Sequence, residues 1–212
     1  MERQSRAALI SAIPLFENLN TRIINSLADK VSEHSFVSGE LLVGQGQQGD
    51  RAYIIVSGSV KVYRISEEGE EIHLAMLGPN EIVGELALID SEPRSAYAQA
   101  IQPTHTLILT QKDFSRILSA HPQMAINLLK TLSRRIRALN EQMEDILTKN
   151  LTDRTLKALK VLSKLFENGE IALSHEELAT IIGATRARVT EVLDQLKKEN
   201  KISLAHKRIL LL

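Results

Sequence analysis

The 212-residue sequence predicts an α+β chain: a β-rich first half built as a compact antiparallel sandwich or roll, one long helix, and a C-terminal winged helix-turn-helix. Three observations carry this. Between His34 and about Thr110 short apolar runs alternate with glycine-rich breaks; from Ala125 to Ile146 an apolar residue returns every third or fourth position; near the C-terminus two short capped segments flank Gly183. The resulting segments are 1–121, 122–149 and 150–212, and the length suits two modest domains with cores of their own.

In chain order, the first thirty residues place Leu9, Ile10, Ile13, Leu15, Ile23, Ile24 and Leu27 between polar positions, as short amphipathic helices do. The period then changes to two. In EEIHLAML, Ile72, Leu74 and Met76 alternate with Glu71, His73 and Ala75, and about eight such strands with turns at GQGQQGD, SG, SEEGE and GPNE give the roll. Near His121-Pro122 the period becomes helical again. Ala125, Leu129, Leu132, Ile136, Leu139, Met143 and Ile146 form a two-in-seven seam, narrower than the face a helix presents to its own domain, which predicts a parallel homodimer through residues 122–149. Asn150 or Thr152 caps the next helix.

The C-terminal stretch has the clearest grammar. Ser174 and Glu177 form a capping box for a helix carrying Leu178, Ile181 and Ile182 and ending at Gly183; Thr185 caps a second helix whose Val189, Val192, Leu193 and Leu196 face inward. Opposite that face, Arg186, Arg188 and Thr190 stand where a recognition helix meets base edges and phosphates. Ser174, His175 and Thr185 at the helix starts, and Lys207 in a wing turning at about His206-Lys207, complete the candidate DNA-binding set. A helix-turn-helix is also a plain packing motif, in which these arginines are ordinary solvated residues; the dimer seam favours DNA, because a two-fold dimer sets two recognition helices about 34 Å apart.

Composition narrows the function. The chain has no Cys, which excludes disulfides, thiolate-held zinc, cysteine-held iron–sulfur clusters and a thiol nucleophile. His34, His73, His105, His121, His175 and His206 show no metal-ligand spacing, so no metal is expected. Neither a secretory leader nor a membrane-length apolar run is present, and a cytoplasmic protein without a membrane partner is expected. No nucleophile and base set or phosphate-cradling loop of the NTPase kind points to an enzyme. Net charge is zero, with residues 151–212 carrying 11 Lys and Arg against 8 Asp and Glu.

The stretch GELALIDSEPRSA, residues 84–96, sets Glu85 and Arg94 among β-sheet residues. A guanidinium clamps phosphate, while a carboxylate accepts from sugar hydroxyls, so a sugar phosphate would satisfy both; a simple Glu85–Arg94 ion pair is the plainer alternative. Gly84 permits close backbone approach, and Leu86 and Ala87 stand at the start of a helical turn whose N–H groups add an anion cradle.

Taken with IGATRARVTEVL and the order of roll, long helix and winged helix-turn-helix, this segment resembles the cyclic-AMP receptor (CRP/FNR) family of bacterial transcription regulators over essentially the whole chain. The resemblance implies a cyclic-nucleotide-binding β-roll, with residues 84–96 as its phosphate-binding cassette. Gly84 and Glu85 would meet the ribose, Glu85 its 2′-hydroxyl; Arg94 would pair with the cyclic phosphate and Ser95 would add a hydrogen bond. The hydroxyl pair that reads adenine in the cyclic-AMP receptor is replaced by Leu139 and Asn140, and the arginine, glutamate and second arginine of the recognition helix by Arg186, Ala187 and Glu191. The expected ligand is cyclic AMP or another cyclic nucleotide; the expected partners are double-stranded DNA, a second copy of the chain and RNA polymerase. Two other readings stand beside it: the same fold working without a nucleotide or with another effector such as a cyclic dinucleotide, and a cyclic-nucleotide-binding regulatory subunit acting on protein.

Overall fold

The computed structural model describes residues 2–205 and 208–212. It divides into two compact units, residues 1–62 with 77–137 and residues 63–76 with 138–212. The chain opens with α1 (Arg3–Ala12), a 3-10 turn at Pro14–Phe16 and α2 (Thr21–Ala28), whose first turn is closed by the Asn20 side chain accepting from the Ile23 N–H at 3.0 Å. Eight strands follow: β1 (Ser32–Phe36), β2 (Leu41–Val43), β3 (Arg51–Ser57), β4 (Val60–Ile65), β5 (Glu71–Leu77), β6 (Ile82–Val83), β7 (Tyr97–Ala100) and β8 (Thr104–Thr110), with the one-turn helix α3 (Leu86–Asp90) between β6 and β7. They form two four-stranded sheets in the orders β1-β8-β3-β6 and β2-β7-β4-β5.

In the first sheet β8 is central: Ser32 and Tyr53 both pair antiparallel with Ile108 from opposite sides. Alternation along β8 buries Leu107 and Leu109 under Phe114, Leu27, Ile10 and Phe16. That core extends into α4 (Gln111–Ala120), which Thr110 caps, and the start of α5 (Pro122–Thr148), through Met124 and Leu128. Helical structure thus resumes ten residues before His121, because Phe114, Ile117 and Leu118 already follow a helical spacing and cover the sheet. Buried Asn127 on α5 donates to the carbonyls of Leu15 and Glu17, at 3.3 and 2.8 Å, hooking the N-terminal helical segment onto the long helix.

The seam residues divide in two. Leu132 packs against the core of the first unit, whereas Leu129, Ile136, Leu139, Met143 and Ile146 are exposed, Ile136 by 58%. After α5, Asn150 caps α6 (Leu151–Leu162) by accepting from the Asp153 N–H. A second 3-10 turn (Glu167–Gly169) leads to α7 (His175–Ile182), α8 (Arg186–Lys198) and the hairpin β9 (Ile202–Ala205) and β10 (Arg208–Leu211), to which Ile171 adds a bridge at Ile209. Leu178, Ile182, Val189, Leu193, Leu196, Ile202 and Ile209 fill this core. The capping box holds in full: Ser174 Oγ accepts from Glu177 N–H, and Glu177 accepts from Ser174 N–H at 2.7 Å. Thr185 occupies the N-cap position of α8 with extended backbone but forms no side-chain cap, which corrects the expected hydroxyl cap. Lys207 and the wing turn at His206-Lys207 lie outside the described residues.

Candidate functional site

Glu85 and Arg94 are both buried, 2% and 6% exposed, and they do not pair with each other. Glu85 is instead reached from α5: Arg135 Nη1 lies 2.6 Å from Glu85 Oε1, and Arg135 Nη2 donates to the Ile82 carbonyl. A buried carboxylate needs a counter-ion, and the long helix supplies it. Arg135 is the functional-site residue that sequence reasoning missed; the one available signal was that a glutamate inside a sheet corner must find a cation somewhere. We expect Arg135→Met to lower unfolding free energy in urea by about 3 kcal/mol, because Glu85 is left buried and unpaired, and Glu85→Gln in the same chain to restore most of it. An unchanged urea midpoint in the single variant would show that the ion pair is incidental.

Arg94 has no carboxylate within ion-pair distance among the described residues. Its Nη1 donates to the Gly84 carbonyl at 2.5 Å and its Nη2 to the Arg51 carbonyl at 2.6 Å, while Asp50, the nearby acid, is taken up by Arg51 at 2.8 Å. Burial holds the Arg94 guanidinium below its ordinary value, and the charges of Tyr53, Asp50 and Glu85 act in the other direction. Two glycines make room for it. A Cβ on Gly84, whose φ is +82°, would stand 2.5 Å from Nη1, and a Cβ on Gly49 would stand 2.7 Å from Cζ and 2.6 Å from the Ala87 Cβ. Backbone bonds from Gly46 N–H to the Arg94 carbonyl and from Arg94 N–H to the Gln47 carbonyl, both 2.8 Å, clip the segment to the 44–47 loop.

Around this centre, Ala87 is buried at the start of α3, Leu86 is 40% exposed and Ser95 is exposed. Gly84, Glu85, Leu86, Ala87, Arg94 and Ser95 therefore share one corner of the first unit, joined there by Arg135. Leu139 and Asn140 lie on the part of α5 that belongs to the second unit, and both are exposed.

In the second unit Arg186 and Arg188 are exposed on the first turn of α8 and make no ion pair among the described residues. Ser174 is engaged in its capping box, and Thr185 is exposed. His175 and Thr190 are half-buried and bonded to each other, Nδ1 to Oγ1 at 2.9 Å.

Comparison with known proteins matches two segments of the chain to families. Residues 33–121 match the cyclic nucleotide-binding domain and residues 154–212 the Crp-like helix-turn-helix domain. The chain is 30% identical over 191 residues to the cyclic AMP receptor protein of Thermus thermophilus, covering 90% of this chain and 88% of that one. It belongs to the CRP/FNR family of transcription regulators. Within that family it is also 28% identical over 210 residues to a CRP-like cAMP-activated global transcriptional regulator of Mycobacterium tuberculosis, with 96% and 94% of the two chains covered. Among solved structures, a CRP/FNR-family regulator from Thermus thermophilus superposes with a TM-score of 0.73 at 28% identity, covering 85% of this chain and 93% of the other. The chain is thus a DNA-binding transcription regulator of the CRP/FNR family. No helix among the described residues is long and apolar enough to cross a membrane, and no group of acidic or histidine side chains among them is placed to hold a metal ion.

Proposed function

We propose that the chain is a cytoplasmic, homodimeric regulator gated by a cyclic nucleotide, most simply cyclic AMP, that binds a two-fold operator and acts through RNA polymerase. One observation carries the ligand: Arg94 is a buried guanidinium with two of its five N–H groups on carbonyls and no counter-ion. A charge so placed is satisfied by an anion, and a cyclic phosphate brings one with two free oxygens for bidentate bonding. Ser95, exposed beside it, adds a hydroxyl donor.

Glu85 accepts from the ribose 2′-hydroxyl while it holds Arg135, and the buried Arg135 Nε, which has no acceptor, offers a further donor to an incoming oxygen. Ligand and long helix therefore compete for, or share, one carboxylate. This is where a preference for one conformation of α5 can arise, since a ligand shifts an equilibrium only by binding one state more tightly. Calorimetric titration with cyclic AMP, cyclic GMP and cyclic di-GMP tests the reading: heat from a cyclic mononucleotide supports it, and silence from all three removes it. The assignment of Leu139 and Asn140 as base contacts belongs to the same proposal, and the same titrations on an Asn140 variant decide it.

DNA contact rests on the two unpaired arginines of α8. If Arg186 meets a guanine edge, Arg186→Ala costs about 1–3 kcal/mol and relaxes one position of each half-site. A loss spread evenly over all sequences, with a shallower salt dependence, would move Arg186 to the phosphate backbone.

A further inference from the structure

Threonines inside helices of this protein follow a habit. Thr131, Thr148, Thr155 and Thr180 each donate their hydroxyl proton to the carbonyl four residues back, to Asn127, Glu144, Leu151 and Glu176 at 2.8 to 3.2 Å. Thr190 on α8 does not; its hydroxyl lies 2.9 Å from Nδ1 of His175, on the first turn of α7. A helical threonine that gives up its backbone acceptor still has a proton to place, and the ring nitrogen is the acceptor it meets.

We infer that Thr190 is a positioning residue rather than a base reader: its hydroxyl donates to Nδ1 of His175 and fixes the ring as the Nε2–H tautomer, so that Nε2–H donates to a DNA phosphate. The two ring nitrogens have opposite roles in a neutral imidazole, so the proton Nδ1 accepts decides what Nε2 can do. Nδ1 is engaged and His175 is only half-buried, which leaves Nε2 as the ring nitrogen without a hydrogen bond among the described residues. In the opposite tautomer Nε2 would turn a lone pair toward DNA and meet the phosphate oxygens unfavourably. The charged residues nearest in sequence on the two helices that carry the pair are Glu176 and Glu177 on α7, where Glu177 is held by Ser174, and Arg186, Arg188, Glu191 and Asp194 on α8. The bond also ties the first helix of the motif to the second, one turn beyond Arg186.

This inference rests on the DNA-binding reading, and its test separates the two. In the free protein, nitrogen-15 NMR of the histidine ring should show the Nε2–H tautomer in the parent chain and a mixture in Thr190→Val, which keeps the shape and removes the hydroxyl; the Nδ1–H tautomer in the parent would overturn the proposal whatever DNA does. In fluorescence anisotropy with duplexes enriched from a random pool, Thr190→Val should bind about 3- to 10-fold more weakly on enriched and scrambled DNA alike, with the salt slope unchanged because a neutral ring displaces no counter-ion, and Thr190→Ser should restore the parent values. A loss confined to one operator position would make Thr190 a base reader, and unchanged affinity would make the pair purely structural; either result overturns the inference. A parent chain that binds no duplex at low salt would instead overturn the DNA-binding reading, leaving the tautomer result to stand or fall by itself.

Discussion

Ile136→Asp is expected to sediment as a monomer at concentrations where the parent chain is a dimer. In a single chain Ile136 is 58% exposed and belongs to no core, so the substitution leaves the fold alone. In the proposed dimer it sits on the seam with Leu129, Leu139, Met143 and Ile146, where an aspartate would be buried facing its symmetry mate. A weakening of roughly 4 kcal/mol corresponds to about three decades in the dimer constant. Affinity for a two-fold site should fall with it, because each recognition helix would then bind alone. A variant that stayed dimeric in analytical ultracentrifugation would show that the exposed stripe is covered by something other than a second copy.

Arg94→Leu should reduce affinity for the cyclic nucleotide by roughly 30-fold to several thousandfold, the range expected when one member of a buried charge pair is removed at ~2 to 5 kcal/mol. The variant also frees the Gly84 and Arg51 carbonyls, so thermal unfolding has to be measured beside the titration. Arg94→Lys serves as the control: it keeps the charge, loses the planar fork, and should recover part of the affinity. Equal affinities in parent and Leu variant would remove the cassette as the ligand site.

The parts of this fold that sequence could disclose are those written in local chemistry. Ser174, Glu177 and Gly183 lie within ten residues of one another, and their capping box and left-handed C-cap form as their identities require. The two-residue period of the β-rich half likewise yields eight strands in the expected region. The helix α4 was legible in Phe114, Ile117 and Leu118, yet it lies directly against β8 with Thr110 serving both as last strand residue and as cap, so no turn signal separates them. Long-range pairing is different in kind. Nothing near Glu85 announces that its partner is fifty residues away on α5, or that Arg94 will turn to carbonyls rather than to Glu85; both follow from how β3, β6 and α5 meet, which only the folded chain shows. The same holds for Leu132, whose heptad position matches that of its exposed neighbours but whose side chain is drawn into the core.

The pairing of Ser32 with Ile108 has a consequence for how the protein is made. The first strand of the roll must wait for a central strand 76 residues downstream, and at ~5 to 20 residues per second a ribosome needs roughly 4 to 15 s to supply it. Until then β1 and β3 share no neighbour, and the Arg135 that pairs with Glu85 of the cassette arrives later still. The N-terminal helices wait longer still, since the Asn127 hook that holds the carbonyls of Leu15 and Glu17 leaves the exit tunnel after β8. Non-local closure of this kind is slow for entropic reasons. The capping box of the C-terminal module, Ser174 with Glu177, closes within four residues and needs no such delay.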